Sequence, residues 1–401
     1  MSIQFLHISD IHLDSPFHHI RNIFPELMIK CQEASKISFQ YLVTYAIEQQ
    51  VDIVVIAGDS FNSVYPSVSA QLFFKEQLQR LVDHHIQIVL CHGNHDYVRL
   101  PKIVALPEKV HVFDEHVETF VLTTKSQEKV AFSGFSYHHL HVQDRKVTHY
   151  PVRFSNVDYH VGVLHGALES IATEKGLYAP FSVSELNSKH YDYWALGHIH
   201  KRSILQEKPP IVYAGNIQGL NRKETGKKGA YLVTLDKGKE AVLEFIPAET
   251  ILWEHVTLSL SECSTVEDVQ SLLKKEEITF SQQTKIISID FIEHAHIPEE
   301  LRQFLQTDEA LQVLSQNAMY IYRLTFLSSH THTLNLNVSM EKKWGNIQQY
   351  GVENKEYQTA LQSLFKNTTI RTLFPDLLHD DVFKEEVFSK AINTVEQQIN
   401  H

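Results

Sequence analysis

Cysteine is scarce. The 401 residues hold three, Cys31, Cys91 and Cys263, widely spaced and odd in number, which supplies neither a disulfide framework nor the paired thiols of a zinc ribbon. No stretch approaches the roughly eighteen consecutive apolar residues that a membrane-spanning helix needs, so no membrane partner is expected. The chain opens straight into a strand-like run at Ile3, without the basic n-region and apolar h-region of a secretory leader, and a cytoplasmic location is the expectation. Internal repeats and low-complexity tracts are lacking too. What remains is the profile of a soluble multidomain protein: 43% hydrophobic residues are ample for a full core, and the length corresponds to roughly two to three domains.

What the chain does have is five short motifs, each closing an apolar run. Ile3 to Ile8 leads into Asp10-Ile11-His12, Asp52 to Ala57 into Gly58-Asp59, and Ile86 to Leu90 into Gly93-Asn94-His95-Asp96. Val161 to Leu164 leads into His165-Gly166, and Tyr193 to Leu196 into Gly197-His198-Ile199-His200. Each run reads as a strand that delivers polar side chains at its C-terminal end, the edge at which open α/β sheets form binding crevices. Side chains two apart on extended backbone point the same way, so Asp10 with His12, and His198 with His200, are expected to present two donors to one side. Glycine beside four of the five groups lets the strand turn sharply and a ligand come close to the backbone. Singly, each motif has a plain reading, since Gly93-Asn94 is a common turn pair and 26 histidines make Asp/His neighbours frequent. Five in order, each ending an apolar run, are the signature of a two-metal phosphoesterase.

In that order the motifs resemble those of the calcineurin-like metallophosphoesterase superfamily, and the order of domains after them is similar to that of SbcD-like DNA repair exonucleases. The resemblance implies a first metal held by Asp10, His12, Asp59 and His200, and a second held by Asp59, Asn94, His165 and His198, with Asp59 bridging. Two adjacent divalent ions repel strongly, which a shared carboxylate and a shared hydroxide offset. Two carboxylates and one hydroxide against two divalent ions leave the centre at about plus one, suited to an anionic phosphodiester. Four imidazoles and no thiolate among the seven residues fit manganese, iron or zinc better than an all-oxygen magnesium cage, and manganese is the expected metal. The implied reaction is in-line attack on phosphorus by the metal-bridging hydroxide. His95 is not assigned to a metal; the resemblance makes it the acid that protonates the departing oxygen, a role typically worth about a hundredfold to ten-thousandfold. Asp96 is expected either to fix the His95 tautomer or to cap the following backbone as a turn aspartate.

One position departs from the family pattern. Many SbcD-like nucleases carry a second histidine three residues after the bridging aspartate, where this chain has Asn62, which donates hydrogen bonds but cannot shuttle a proton. His7, His18, His19 and His92 lie near the motifs without the pairing that marks a ligand and read first as hydrogen-bonded scaffold. Asp14 is expected either to accept from a metal-bound histidine or to start a turn before Pro16.

Charge is unevenly shared along the chain. Residues 1 to 250 hold 24 Lys and Arg against 27 Asp and Glu, a net of minus three; residues 251 to 401 hold 12 against 21, a net of minus nine. Two divalent ions would bring the first region to about plus one, which removes the objection that an acidic protein repels DNA. Lys201-Arg202 and Arg222, Lys223, Lys227 and Lys228 follow the last motif as candidate phosphate contacts, with a solvated loop as the plainer reading.

Helical patterns over Glu26 to Gln49 and Ser69 to Asp83 lie between the early strands, and Lys129 to Tyr137 is strand-rich. Beyond Pro247 the expected order is a strand at Ile251 to Leu260, a helix behind a Ser264/Glu267 capping box, a strand at Lys285 to Ile292, a helix from Pro298 to Leu314 and a strand at Tyr320 to Leu327. The fold class is α/β: a two-sheet αββα metallophosphoesterase sandwich over residues 1–248, a small α/β capping domain over 249–340, and a linker with a helical C-terminal tail over 341–401. In that tail Val382, Phe383, Val387, Phe388, Ala391, Ile392, Val395 and Ile399 recur at helical spacing. Such a stripe packs either on the chain's own body or, as the resemblance implies, on an SbcC-like coiled-coil ATPase.

The expected function is a metal-dependent DNA exonuclease acting in repair with that ATPase. A different phosphodiesterase or phosphatase on the same scaffold, and a mainly structural ATPase-binding subunit, are the alternatives, because one fold hosts many functions. Expected partners are DNA and the ATPase, with a homodimer left open.

Overall fold

Strand β1 (Ser2–Ile8) sends alternate side chains to two different cores. Ile3 and Phe5 face the space between two sheets, while Leu6 and Ile8 face helices. Its neighbour β2 (Ile53–Ala57) is buried on both faces, which is why it reads as an unbroken apolar run. The computed structural model describes residues 2–15, 23–97, 104–170, 178–275, 283–327 and 355–364, together with positions 347, 384, 387, 388 and 391.

Helix α1 (Pro25–Glu48) begins with proline in its first turn, and α2 (Val68–Asp83) is capped by Ser67, whose hydroxyl accepts from Ala70 N at 3.1 Å. Both pack on the outer face of the first sheet, through Phe39, Leu42 and Val43 of one and Phe74, Leu78 and Leu81 of the other. Each such side chain taken fully out of water contributes about 1.5–3 kcal/mol. The first sheet continues with β3 (Gln87–Cys91) and β4 (Val110–Val112). The second contains β5 (Glu118–Thr123), β6 (Lys129–Gly134), β7 (Tyr159–His165), β8 (Tyr193–Gly197), β9 (Ser203–Glu207) and β10 (Pro210–Tyr213), with the short α3 (Val183–Asn187) between β7 and β8. Strands β11 (Gly229–Asp236) and β12 (Val242–Pro247) then return to the first sheet. The orders are β12-β11-β1-β2-β3-β4 and β5-β6-β7-β8-β10-β9. Strands β1 to β4 run parallel, as do β6, β7, β8 and β10. The sheets face each other across Phe5, Val55, Val89, Phe132, Val163 and Ala195, so the C-terminal ends of β1, β2, β3, β7 and β8 share one rim.

A third, all-parallel sheet holds β13 (Ile251–Ser259), β14 (Thr284–Ile292) and β15 (Met319–Phe326), with α4 (Val266–Lys275), α5 (Glu299–Phe304) and α6 (Asp308–Leu314) between them. Its core includes Leu27, Cys31 and Ala34, so α1 serves two cores, the third sheet with its first half and the first sheet with its second. Residues 1–326 form one compact unit and 327–401 another. In the latter, α7 (Lys355–Leu364) places the Tyr357 ring edge-on to Phe388, centroids 5.1 Å apart, and the Tyr357 hydroxyl donates to the Lys384 carbonyl. Lys384, Val387, Phe388 and Ala391 are helical; the rest of the expected final helix lies outside the described residues. No described helix is long and apolar enough to cross a membrane.

The structure corrects several local expectations. The helix expected from Pro298 to Leu314 is two short ones, because Thr307 accepts from Ala310 N and starts a new helix. The capping box before α4 sits one residue later than expected: Thr265 accepts from Asp268 N, and the Asp268 carboxylate accepts from Ser264 N and Thr265 N. Strands β9 to β12 were not expected; β9 and β12 carry mixed, half-exposed sequences, whereas β10 and most of β11 are buried.

Candidate metal centre

All seven expected ligands lie on the shared rim. Asp10 and His12 follow β1, Asp59 follows β2, Asn94 follows β3, His165 ends β7, and His198 and His200 follow β8. The expectation that Asp10/His12 and His198/His200 converge by strand alternation is not what the backbone does. Strands β1 and β8 have already ended, and Asp10 (φ 50°), His12 (φ 48°), Asp59 (φ 48°) and His198 (φ 96°) all have positive φ. A positive φ at a non-glycine residue costs of order 1–3 kcal/mol and persists only where the surroundings impose it. Here the imposing contacts are Asp10 N to Gly58 O at 3.1 Å, His12 N to Asp59 O at 3.0 Å, and His198 N on the Asp10 carboxylate at 3.1 and 3.2 Å. At Gly93 a Cβ would lie 2.2 Å from Asp59 Oδ1 and 2.7 Å from His165 Nε2, so the rim closes only because that side chain is missing.

The donor atoms gather in overlapping groups. Those of Asp10, His12 and His200 lie within 4.8 Å of one another, and so do those of Asp10, Asp59 and His165. Asp59 Oδ2 is 3.3 Å from His165 Nε2 and 3.7 Å from His12 Nε2, between the two halves. Asn94 Oδ1 stands 3.0 Å from both His165 Nε2 and His198 Nδ1, and His12 Nε2 is 2.9 Å from His200 Nε2.

Tautomer geometry tests whether these residues suit a cation. His165 Nδ1 faces the Ala57 carbonyl at 3.0 Å, which can only accept, so Nδ1 carries the hydrogen. The Nε2 of neutral His165 therefore aims a lone pair at a carboxylate oxygen and an amide oxygen, an arrangement that needs a positive centre among them. His200 Nδ1 likewise donates to Glu224 Oε1 at 2.8 Å, turning the Nε2 of the neutral ring toward His12 and Asp10. The residues fit a cation. In the metal-free protein protons take its place. Burial alone would push His165 and His200 down, but Asp59 for one and Glu224 for the other, with Asp10, hold both up at about 9. Burial on its own would raise Asp59; the charge and hydrogen bond of His165, with His95 and His12, outweigh it and hold this carboxyl well below the usual range. Burial and the neighbouring imidazoles drive His198 down to about 3 and His12 well below its ordinary value, and burial raises Asp10.

His95 is placed differently. It is exposed, its backbone N–H donates to Asp59 Oδ1 at 2.9 Å, and its Nδ1 meets the Asn62 carbonyl at 3.2 Å. Asp96 does not meet His95. Its carboxylate accepts from Gly93 N at 2.8 Å and Ser60 N at 2.9 Å and faces His92 Nδ1 at 3.3 Å, so it braces the loops beneath the centre. That corrects its expected role at the His95 ring: three donors from the β2 and β3 loops hold the carboxylate on the other side. Asp14 also turns out structural, accepting from Ser67 N at 2.8 Å, and His7 is buried against the Tyr193 hydroxyl at 3.0 Å. His18 and His19 lie outside the described residues. Of the basic residues after the last motif, Lys228 is buried with Nζ 3.3 Å from the His200 carbonyl, and Arg202 stacks on Phe245 at 3.6 Å. Lys201, Lys223 and Lys227 are exposed.

Sequence reasoning missed Glu224, the partner of His200. Its only signal was an acidic residue inside a run of Lys and Arg. It also missed Tyr137 and Tyr178, whose rings stand 5.5 Å from His165 and 4.6 Å from His198.

Residues 3–202 match the model of the calcineurin-like phosphoesterase family. The metallophosphoesterase YhaO of Bacillus subtilis (strain 168), itself uncharacterized, is 34% identical over 71% of this chain and 69% of its own. The DNA double-strand break repair protein Mre11 of Methanopyrus kandleri is 28% identical over 61% of this chain and 56% of its own, so the match spans a little over half of that protein. Among solved structures, a dimetal phosphatase from Danio rerio aligns with 61% of this chain and 98% of its own at 12% identity and a TM-score of 0.38. With the match over its first half and the YhaO similarity, the chain belongs to the calcineurin-like phosphoesterase family. The family's fold binds two divalent metals, which makes the chain a metallophosphoesterase, a hydrolase of phosphate esters.

Proposed function

We propose that this chain is a manganese-dependent DNA exonuclease that works in repair with a coiled-coil ATPase. The observation that carries the hydrolytic part is the pair of imidazoles locked by Ala57 and Glu224 so that their Nε2 atoms aim among Asp10, Asp59 and Asn94. Asp10, His12, Asp59 and His200 would hold one ion, and Asp59, Asn94, His165 and His198 the other. When bound, such ions supply the positive charge that polarises a phosphate ester and acidifies water. The DNA part is supported by the similarity to Mre11 and by the family resemblance of the motifs.

His95 supplies the proton. A carbonyl at Nδ1 fixes the hydrogen there, so the protonated ring has its Nε2–H free to donate to the leaving oxygen. Asn62 lends its backbone carbonyl, not its side chain, to that arrangement. Its missing imidazole favours the second reading, a phosphodiesterase or phosphatase acting on another ester.

Purified protein with manganese, given end-labelled duplex DNA and a generic aryl phosphodiester, tests the reading. Release of mononucleotides from DNA supports it. Turnover of the small diester alone points to the second reading, and inactivity on both with two metals bound points to a structural subunit.

A further inference from the structure

Glu224 is built into the protein more firmly than a surface loop requires. Its side chain is 13% exposed, and all of its contacts are donors. Oε1 accepts from His200 Nδ1 and Asn221 Nδ2, both at 2.8 Å, and Oε2 from Asn216 Nδ2 at 2.6 Å and Leu220 N at 2.8 Å. A glutamine would turn an NH2 group on two of those donors, so the position demands a carboxylate. The loop that carries it is fastened to the third sheet. Buried Gln218 accepts from Thr250 N at 2.9 Å and Ile251 N at 3.2 Å and donates to the Ile251 carbonyl at 2.7 Å. Trp253, on β13, donates from Nε1 to the Gly219 carbonyl at 2.9 Å and accepts from Gly226 N at 3.1 Å. Gly219 has no room for a side chain: a Cβ there would meet the Glu224 carbonyl at 2.8 Å and Trp253 Cδ1 at 2.9 Å, so the loop packs directly on Trp253.

We propose that Glu224 is the positioning residue for His200, and that β13, through Trp253 and Gln218, holds Glu224 in place, so that the third sheet sets the affinity of one of the two metal sites. The chain of contacts is continuous: β13 to the 216–226 loop, the loop to Glu224, Glu224 to the His200 ring, and the ring to the half of the centre it shares with Asp10 and His12. The proposal rests on the metal-centre reading above. A carboxylate behind a ligating imidazole fixes its tautomer and orientation, and its loss typically lowers metal affinity about 10–100-fold.

The test is manganese titration of the full metal-stripped chain by calorimetry, with bound metal counted after dialysis, and nitrogen NMR of the neutral His200 ring, recorded without metal above the pH at which the ring gives up its second proton. Wild type is expected to bind two ions and to show His200 with its hydrogen on Nδ1. Glu224→Ala and Glu224→Gln are expected to keep one ion at wild-type affinity, to bind the other about 10–100-fold more weakly, and to lose the single His200 tautomer. Trp253→Phe keeps an aromatic ring while removing the indole N–H and part of the ring volume, and should weaken the same site by a smaller factor; it decides the matter if Glu224→Ala does not fold. Two ions at wild-type affinity in the Glu224 variants would overturn the positioning role, and an unchanged Trp253→Phe would overturn the role of β13. A wild type that does not bind two ions would sink the metal-centre reading itself, a distinguishable failure.

Discussion

Replacing His95 with alanine removes a ring from the rim and leaves the donor cluster intact. Its contact to Asp59 comes from the backbone N–H, 2.9 Å from Oδ1, and survives the substitution. The ring itself is exposed, with its edge toward His12 and Nδ1 on a backbone carbonyl, so the fold should change by no more than about 0.5 kcal/mol. The chemistry should change far more. Loss of a positioned acid costs about a hundredfold to ten-thousandfold, or roughly 2.7–5.5 kcal/mol of barrier. That loss depends on the leaving group: a sugar alkoxide needs the proton, whereas a nitrophenolate departs without it. His95→Ala should therefore retain two metals per chain, lose most of its activity on DNA, and lose much less on a bis-nitrophenyl phosphodiester. Metal analysis beside the two rate measurements checks this. Equal losses on both substrates, or a missing metal, would refute the assignment of His95 as acid.

Asp59→Ala is the contrasting change and should abolish both metal binding and activity, since its carboxylate lies between the two donor groups; retention of one tightly bound ion would show that it does not bridge. A pH effect follows from His165 and His200, which hold their protons to about 9 in the metal-free protein against an ordinary value of 6.5. Their stabilisation is complete below pH 6.5 and is lost as pH rises through 9, so the metal-free unfolding midpoint should fall across that window while manganese binding strengthens; a rising midpoint would contradict the sign. Asn62→His should raise exonuclease turnover at constant metal content if proton transfer limits the enzyme, and no gain would mean that it does not. Deleting residues 378–401 should leave a folded, hydrolytically active chain that no longer co-purifies with a coiled-coil ATPase, whereas lost thermal stability would assign the apolar stripe to the chain's own core.

The doubly buried strands were plain in the sequence because burial on both faces leaves an unbroken apolar run, as in Ile53 to Ala57 and Val161 to Leu164. Strands β9 and β12 were not, since their half-exposed sequences depend on neighbours hundreds of atoms away rather than on their own period. The seven ligand candidates were legible because each sits where an apolar run stops. How they converge was not, because a positive φ at Asp10 or His198 is imposed by the adjoining loop and leaves no mark on the residue itself. Asp96 and Glu224 show the same limit from both sides. One carries a motif position yet turns away to brace two loops, and the other carries no motif yet ends on His200. Partner choice for a carboxylate is decided by tertiary placement.

Helix α1 spans 24 residues, a length of about 36 Å, and contributes its first half to one apolar core and its second half to another. A rigid rod embedded in two cores makes them a single cooperative unit. The third sheet cannot open while the helix stays folded on the first, so amides of β14 and those of β2 should exchange with solvent at a common, global free energy instead of in two steps. Anything that loosens one end of that helix is then felt as a loss of protection at the other.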